Sequence, residues 1–119
     1  MPWKYDQSSG ELMYNGSLIG TGYAGKGIGK NNPAMQHVKY VGPIPVGEYS
    51  IGHSYKSSTG LGSIVMDLNP NGHNALGRTL FRIHGDNSTG TASEGCIIMP
   101  RKVRTLMSTT QDRILEVTP

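Results

Sequence analysis

Cys96 is the only cysteine of the 119-residue chain, and it lies twelve positions after His84. The stretch Gly85-Asp86-Asn87-Ser88-Thr89-Gly90-Thr91-Ala92-Ser93-Glu94-Gly95 between them is small and polar, and Ile97-Ile98 follows the thiol. A lone thiol forms no intramolecular disulfide, so a disulfide scaffold is excluded. A thiol within reach of an imidazole is the minimal set for nucleophilic catalysis. The imidazole takes the proton and holds the thiolate as an ion pair. Gly95 lets the backbone approach another group, and its amide and that of Cys96 are candidates to face an oxyanion. Ser93 can tie down the loop or donate to a substrate. Either Asp86 or the Gly85 carbonyl can orient the imidazole. A single cysteine is also an ordinary buried packing residue, so the reading rests on these surroundings.

His37, His53 and His73 lie in turn-rich segments away from the thiol and lack metal-ligand spacing. Neither a metal nor a cofactor is expected. Gly25-Lys26-Gly27-Ile28-Gly29-Lys30 is followed by Asn31-Asn32-Pro33 rather than by the Lys-Ser/Thr pair of a phosphate-binding loop. This segment reads as a long surface loop, one that could wall a groove.

The elements that must position the pair read as short strands. Trp3 to Asp6 is a strand, Ser8-Ser9-Gly10 a turn, and Glu11 to Tyr14 a second strand. Asn15-Gly16 is a two-residue hairpin turn, with Ser17 to Ala24 as the return strand. Pro43 and Pro45 impose a rigid extended approach to a strand at Glu48 to Ile51. Gly62 to Leu68 is expected as a strand that the cluster Asn69-Pro70-Asn71-Gly72 ends. Thr79 to Ile83 delivers His84. Pro100 suits the first turn of a helix reaching about Ser108, with Val103, Leu106 and Met107 on one face. Arg113 to Val117 is the last strand. The expected fold is a mostly β domain spanning 1–119, with one short helix after the cysteine.

Seventeen glycines and seven prolines, dispersed between apolar runs, fit a fold of many tight turns. A chain of this length buries enough surface to fold without metal or disulfide. The net charge is only +3, and the densest basic run, Arg101-Lys102-Val103-Arg104, reads as a solvated helix face rather than a nucleic-acid patch. No apolar stretch is long enough to span a membrane, and the N-terminus lacks the apolar core of a signal peptide.

His84-Gly85 followed by Ser93-Glu94-Gly95-Cys96-Ile97 resembles the active-site signature of the L,D-transpeptidases, cysteine enzymes that remodel bacterial peptidoglycan. Gly42-Pro43-Ile44-Pro45-Val46-Gly47-Glu48-Tyr49-Ser50-Ile51 resembles the proline-containing strand entry that precedes that signature. A compact subgroup, the type VI secretion effectors of L,D-transpeptidase-like fold, is similar over most of the chain. Tyr23-Ala24-Gly25 and Asn31-Asn32-Pro33 match its layout. Glu94 stands where the larger family usually has histidine, and Ile98 where it usually has arginine or asparagine. The His-to-Cys loop is shorter than is typical of that family.

The resemblance implies a small β-sandwich or barrel with Cys96 as nucleophile, His84 as base and the Gly85 carbonyl holding the imidazole. Ser93, Gly95, Glu94, Asp86 and Arg101 are then the candidates for oxyanion and substrate contacts, with Arg101 replacing the missing cation near a substrate carboxylate. It further implies cleavage of the L,D bond of peptidoglycan stem tetrapeptides through a thioester, giving L,D-carboxypeptidase action or D-amino-acid exchange. An effector role implies synthesis in the cytoplasm, delivery by a secretion apparatus to the periplasm of a target bacterium, and a cognate immunity protein. The alternatives are a non-catalytic cell-wall-binding module of the same fold and a housekeeping cross-linking L,D-transpeptidase. A papain-like cell-wall enzyme would place its cysteine before its histidine, the reverse of the order here.

Overall fold

The computed structural model describes residues 2–58 and 60–119. Strands β1 (Trp3–Asp6), β2 (Glu11–Tyr14) and β3 (Ser17–Thr21) form an antiparallel meander. Asn15 and Gly16 take φ of 51° and 79°, as the tight turn requires. The expected return strand breaks at Gly22, and Tyr23–Ala24 forms a separate strand β4. β5 (Gly47–Ile51), β6 (Met66–Asn71), β7 (Phe81–His84), β8 (Ile97–Ile98) and β9 (Ile114–Thr118) complete a nine-stranded sheet in the order β3-β2-β1-β9-β5-β6-β7-β8-β4. Its two end strands, β3 and β4, are consecutive in the chain and separated by Gly22 alone, so the sheet curls nearly into a barrel.

Trp3, Tyr5, Leu12, Tyr49, Met66, Ile83, Ile97 and Leu115 fill the interior from alternate strand positions. Helix α1 (Arg101–Thr109) follows the cysteine strand with Pro100 at its N-cap, and packs Val103 and Met107 inward. Leu106, expected on that face, is 45% exposed, whereas Arg104 is buried. The basic run is therefore solvated only in part.

β6 starts later than expected and runs through Asn69-Pro70-Asn71 instead of ending there. The reason lies in its neighbours. β7 begins at Phe81 opposite Leu68, so its pairing with β6 stops there, while β5 continues and pairs Tyr49 with Pro70. The outer edge of β6 is unpaired beyond that point, where a missing N–H costs nothing.

The buried Gly42-Pro43-Ile44-Pro45 segment has no sheet partner. Its carbonyls are met by side chains instead: Arg78 donates to Gly42 and Pro43, Gln7 to Ile44, and Tyr49 to Pro45. Two prolines halve the number of amides that this buried stretch must satisfy.

Candidate active site

β8 runs parallel to β7 with Ile83 level with Ile97 and His84 level with Ile98. Cys96 directly precedes Ile97-Ile98, so the chain enters β8 from the thiol two residues before the level of His84. Strand pairing has not yet begun at Cys96, and its side chain takes up the β7 edge. The thiol donates to the Leu80 carbonyl at 3.7 Å, and the Arg82 amide hydrogen-bonds to the sulfur. Leu80 holds φ +66°, a strained left-handed conformation for a bulky residue, and its side chain is 74% exposed beside the thiol.

His84 is buried at the end of β7, and its Nδ1 lies 2.9 Å from the Gly85 carbonyl. A carbonyl only accepts, so Nδ1 carries the hydrogen and Nε2 of the neutral ring is left as the base. Burial is the main cause that lowers the His84 pKa, assisted by the Arg104 and Arg82 charges and opposed by the Gly85 hydrogen bond. Burial likewise raises the pKa of the Cys96 thiol, opposed by the Arg82 amide and by the Arg82 and Arg78 charges. Both shifts favour uncharged partners. For each group, desolvation is the largest cause and works against the charged form.

Cys96 and His84 line one cavity of about 260 Å³ together with Lys39, Tyr40, Arg78, Leu80, Arg82 and Glu94. The exposed Glu94 side chain faces this space, and its carboxylate opposes thiolate formation. Ser93 is not a substrate contact. It is fully buried, accepts from the Gly25 and Gly95 amides at 2.8 and 3.1 Å, and donates to the Cys96 carbonyl at 2.6 Å. The same bond commits the Gly95 amide, which is therefore not aimed at an oxyanion. Gly95 itself is required by φ +132° and by the guanidinium of Arg78, 2.7 Å from where a Cβ would stand.

Asp86 does not orient the imidazole either. It accepts from the Tyr23 hydroxyl at 2.6 Å, and that hydroxyl accepts from the Ala92 amide at 2.9 Å. Tyr23 thus closes the loop between His84 and Cys96 from both ends; burial, then the Asp86 bond, push its pKa up to about 12. Arg101 reaches Ser63 and lines a different cavity, with Tyr23 and Arg104. The cations beside the thiol are Arg78, Arg82 and Lys39. Arg78 and Arg82 carry no sequence signal beyond their place just before and within the strand that delivers His84. Among the described residues no three His, Cys, Asp or Glu side chains gather around a point where a metal ion could be held.

The Tlde1 domain model matches residues 19–117. The chain belongs to the Tlde1 domain family. No curated protein matches the chain. Tlde1 domains are type VI secretion effector domains. In this one, the matched segment takes in both members of the thiol–imidazole pair, Tyr23, and all strands except β1 and β2, with β3 and β9 in part. The Tlde1 match begins within β3, so the meander strands β1 and β2 lie before it.

Proposed function

We propose that this Tlde1 domain is a cysteine enzyme that cleaves the L,D bond of peptidoglycan stem tetrapeptides. The observation that carries the reading is the shared cavity of Cys96 and His84, with the Nδ1–H of His84 held by the Gly85 carbonyl so that Nε2 is the free base. In the first half-reaction His84 Nε2 takes the thiol proton as Cys96 Sγ attacks the carbonyl of the third residue. The C–S bond forms, the peptide C–N bond breaks, and the imidazolium returns its proton to the departing amine of D-alanine. Water then attacks the thioester with His84 as base, releasing a tripeptide and the free thiol. A D-amino acid in place of water gives exchange.

With the Gly95 amide committed to Ser93, the oxyanion donor that the turn offers is the Cys96 amide. Lys39 and Arg82 supply positive charge for the substrate's carboxylates. The proposal includes delivery through a type VI apparatus to the periplasm of a rival cell, and an immunity protein in the producer.

One observation favours a second reading, a cell-wall-binding module with an idle thiol: the Cys96 sulfur is engaged by the Leu80 carbonyl at 3.7 Å. Incubating tetrapeptide muropeptides with the wild type and with Cys96→Ala separates the two by mass spectrometry. D-alanine release by the wild type alone is expected. Release by both proteins, or by neither, refutes the cysteine mechanism.

A further inference from the structure

Arg78 is 5% exposed, and among the described residues it has no carboxylate partner; the one ion pair there joins Arg82 to Asp67. Its hydrogen-bond partners are backbone carbonyls. Nη1 donates to Gln36 at 2.6 Å and Pro43 at 2.8 Å, and Nη2 donates to Gly42 at 3.0 Å and Glu94 at 3.2 Å. A planar fork with several donors can hold this many acceptors, and a lysine cannot. The four acceptors belong to three places in the sequence: Gln36, the proline-containing strand entry at Gly42-Pro43, and Glu94, two residues before the nucleophile. The Phe81 ring backs the guanidinium at 5.3 Å, and Gly95 has no side chain because the guanidinium occupies that space.

A buried guanidinium stays charged, and carbonyl dipoles spread its charge without neutralising it. The same group edges the cavity that holds the thiol. The other charged or titratable groups facing this cavity are Lys39, Tyr40, Arg82, His84 and Glu94, and of these Arg82 is engaged by Asp67.

We propose that Arg78 is the positioning residue of the nucleophile: it clamps the Glu94-Gly95 turn to the Gly42-Pro43 strand entry and sets a fixed positive charge beside the Cys96 sulfur. This assignment rests on Cys96 being the reactive group, but not on the identity of the substrate. The clamp and the charge separate in two variants. Arg78→Lys keeps the charge and loses the fork, whereas Arg78→Met loses both.

The test is the pH dependence of iodoacetamide alkylation of Cys96, run beside D-alanine release from tetrapeptide muropeptides. Arg78→Met is expected to move the alkylation midpoint to higher pH, and Arg78→Lys to restore it toward wild type. Both are expected to lose activity about a hundredfold, the effect of a misplacement of about 1 Å. A cooperatively folded Arg78→Met variant with the wild-type alkylation profile overturns the proposal. So does full rescue of turnover by lysine.

Should either variant fail to fold, the wild type decides. The side-chain N–H resonances of Arg78 are expected to titrate with the thiol, and to stop doing so in Cys96→Ser. Resonances that ignore the thiol midpoint overturn the assignment. Alkylation and resonance shifts need no muropeptide, so a failed substrate and a failed clamp give different results.

Discussion

Burial raises the pKa of the Cys96 thiol and lowers that of His84, so both shifts favour the uncharged forms. In the proposed mechanism the thiol is deprotonated during attack, and only the neutral imidazole can do this. The acid limb of the pH–rate profile is therefore expected below the ordinary histidine range of about 6.5. Stability follows the same sign. The unfolded chain binds a proton at His84 at a higher pH than the folded one, so stability falls as pH drops from about 6.5 through the folded pKa. His84→Asn is expected to flatten that fall in urea-unfolding measurements between pH 7 and pH 5. An unchanged slope in the variant would assign the acid sensitivity to another group. Alkylation of the wild-type thiol is expected to have its midpoint above that of an ordinary cysteine, in keeping with the raised pKa.

At the scale of elements, the segments that resemble effector signatures turn out to be packing devices around the loop between His84 and Cys96. Tyr23 joins Asp86 to Ala92, the Gly25 amide binds Ser93, and the Asn31 side chain accepts from the Ala24 amide. Asn32 caps the short 3-10 turn at Pro33–Met35. Together they fix β4 against β8 at the edge of the sheet, one residue past the thiol. Gly22 makes that closure possible, since a Cβ there would lie 1.6 Å from the Ile98 carbonyl oxygen. Gly22→Ala must push β4 away from β8 and is expected to lower the unfolding free energy by about 1–3 kcal/mol. It should also disorder the nucleophile turn. Urea titration measures the first effect, and a faster alkylation of Cys96 reports the second. A wild-type urea midpoint would show that the strand ends part without cost.

For the whole molecule, the sheet order ties the chain ends together. β9 is paired to β1 on one side and to β5 on the other, so the N-terminal meander covers what would otherwise be an exposed edge in the middle of the sheet. Trp3, Tyr5 and Leu12 bring fully or nearly fully buried side chains from outside the segment that the family model matches. Deleting residues 2–14 removes all three and strips β9 of its β1 partner, leaving that edge open. The truncated chain is expected to lose its cooperative thermal transition, as followed by near-ultraviolet circular dichroism. A sharp transition in the truncated chain would mean that the matched segment folds by itself.

Local chemistry made some features legible in the sequence alone. Asn15-Gly16 tolerates the positive φ of a hairpin turn, Pro43 and Pro45 hold an extended segment, and Pro100 starts the helix. The thiol and the histidine were visible as residue types, as was the Gly85 carbonyl as a partner of the imidazole. Their partners were not. The hydrogen bonds of Ser93, Asp86 and Arg78 reach Gly25, Tyr23 and Gly42, 68, 63 and 36 positions away. Such partners are chosen by the curl of the sheet, because a buried polar group takes whichever donor or acceptor the fold sets within hydrogen-bond distance. Arg101 and Arg78 illustrate the limit: one sits closer to Cys96 in sequence, and the other sits at its cavity. The order of residues supplied the thiol and the imidazole on which the proposed chemistry rests. Tertiary structure decided which loop groups are free, since burial favours the uncharged forms of the pair, Ser93 takes the Gly95 amide and Tyr23 takes that of Ala92.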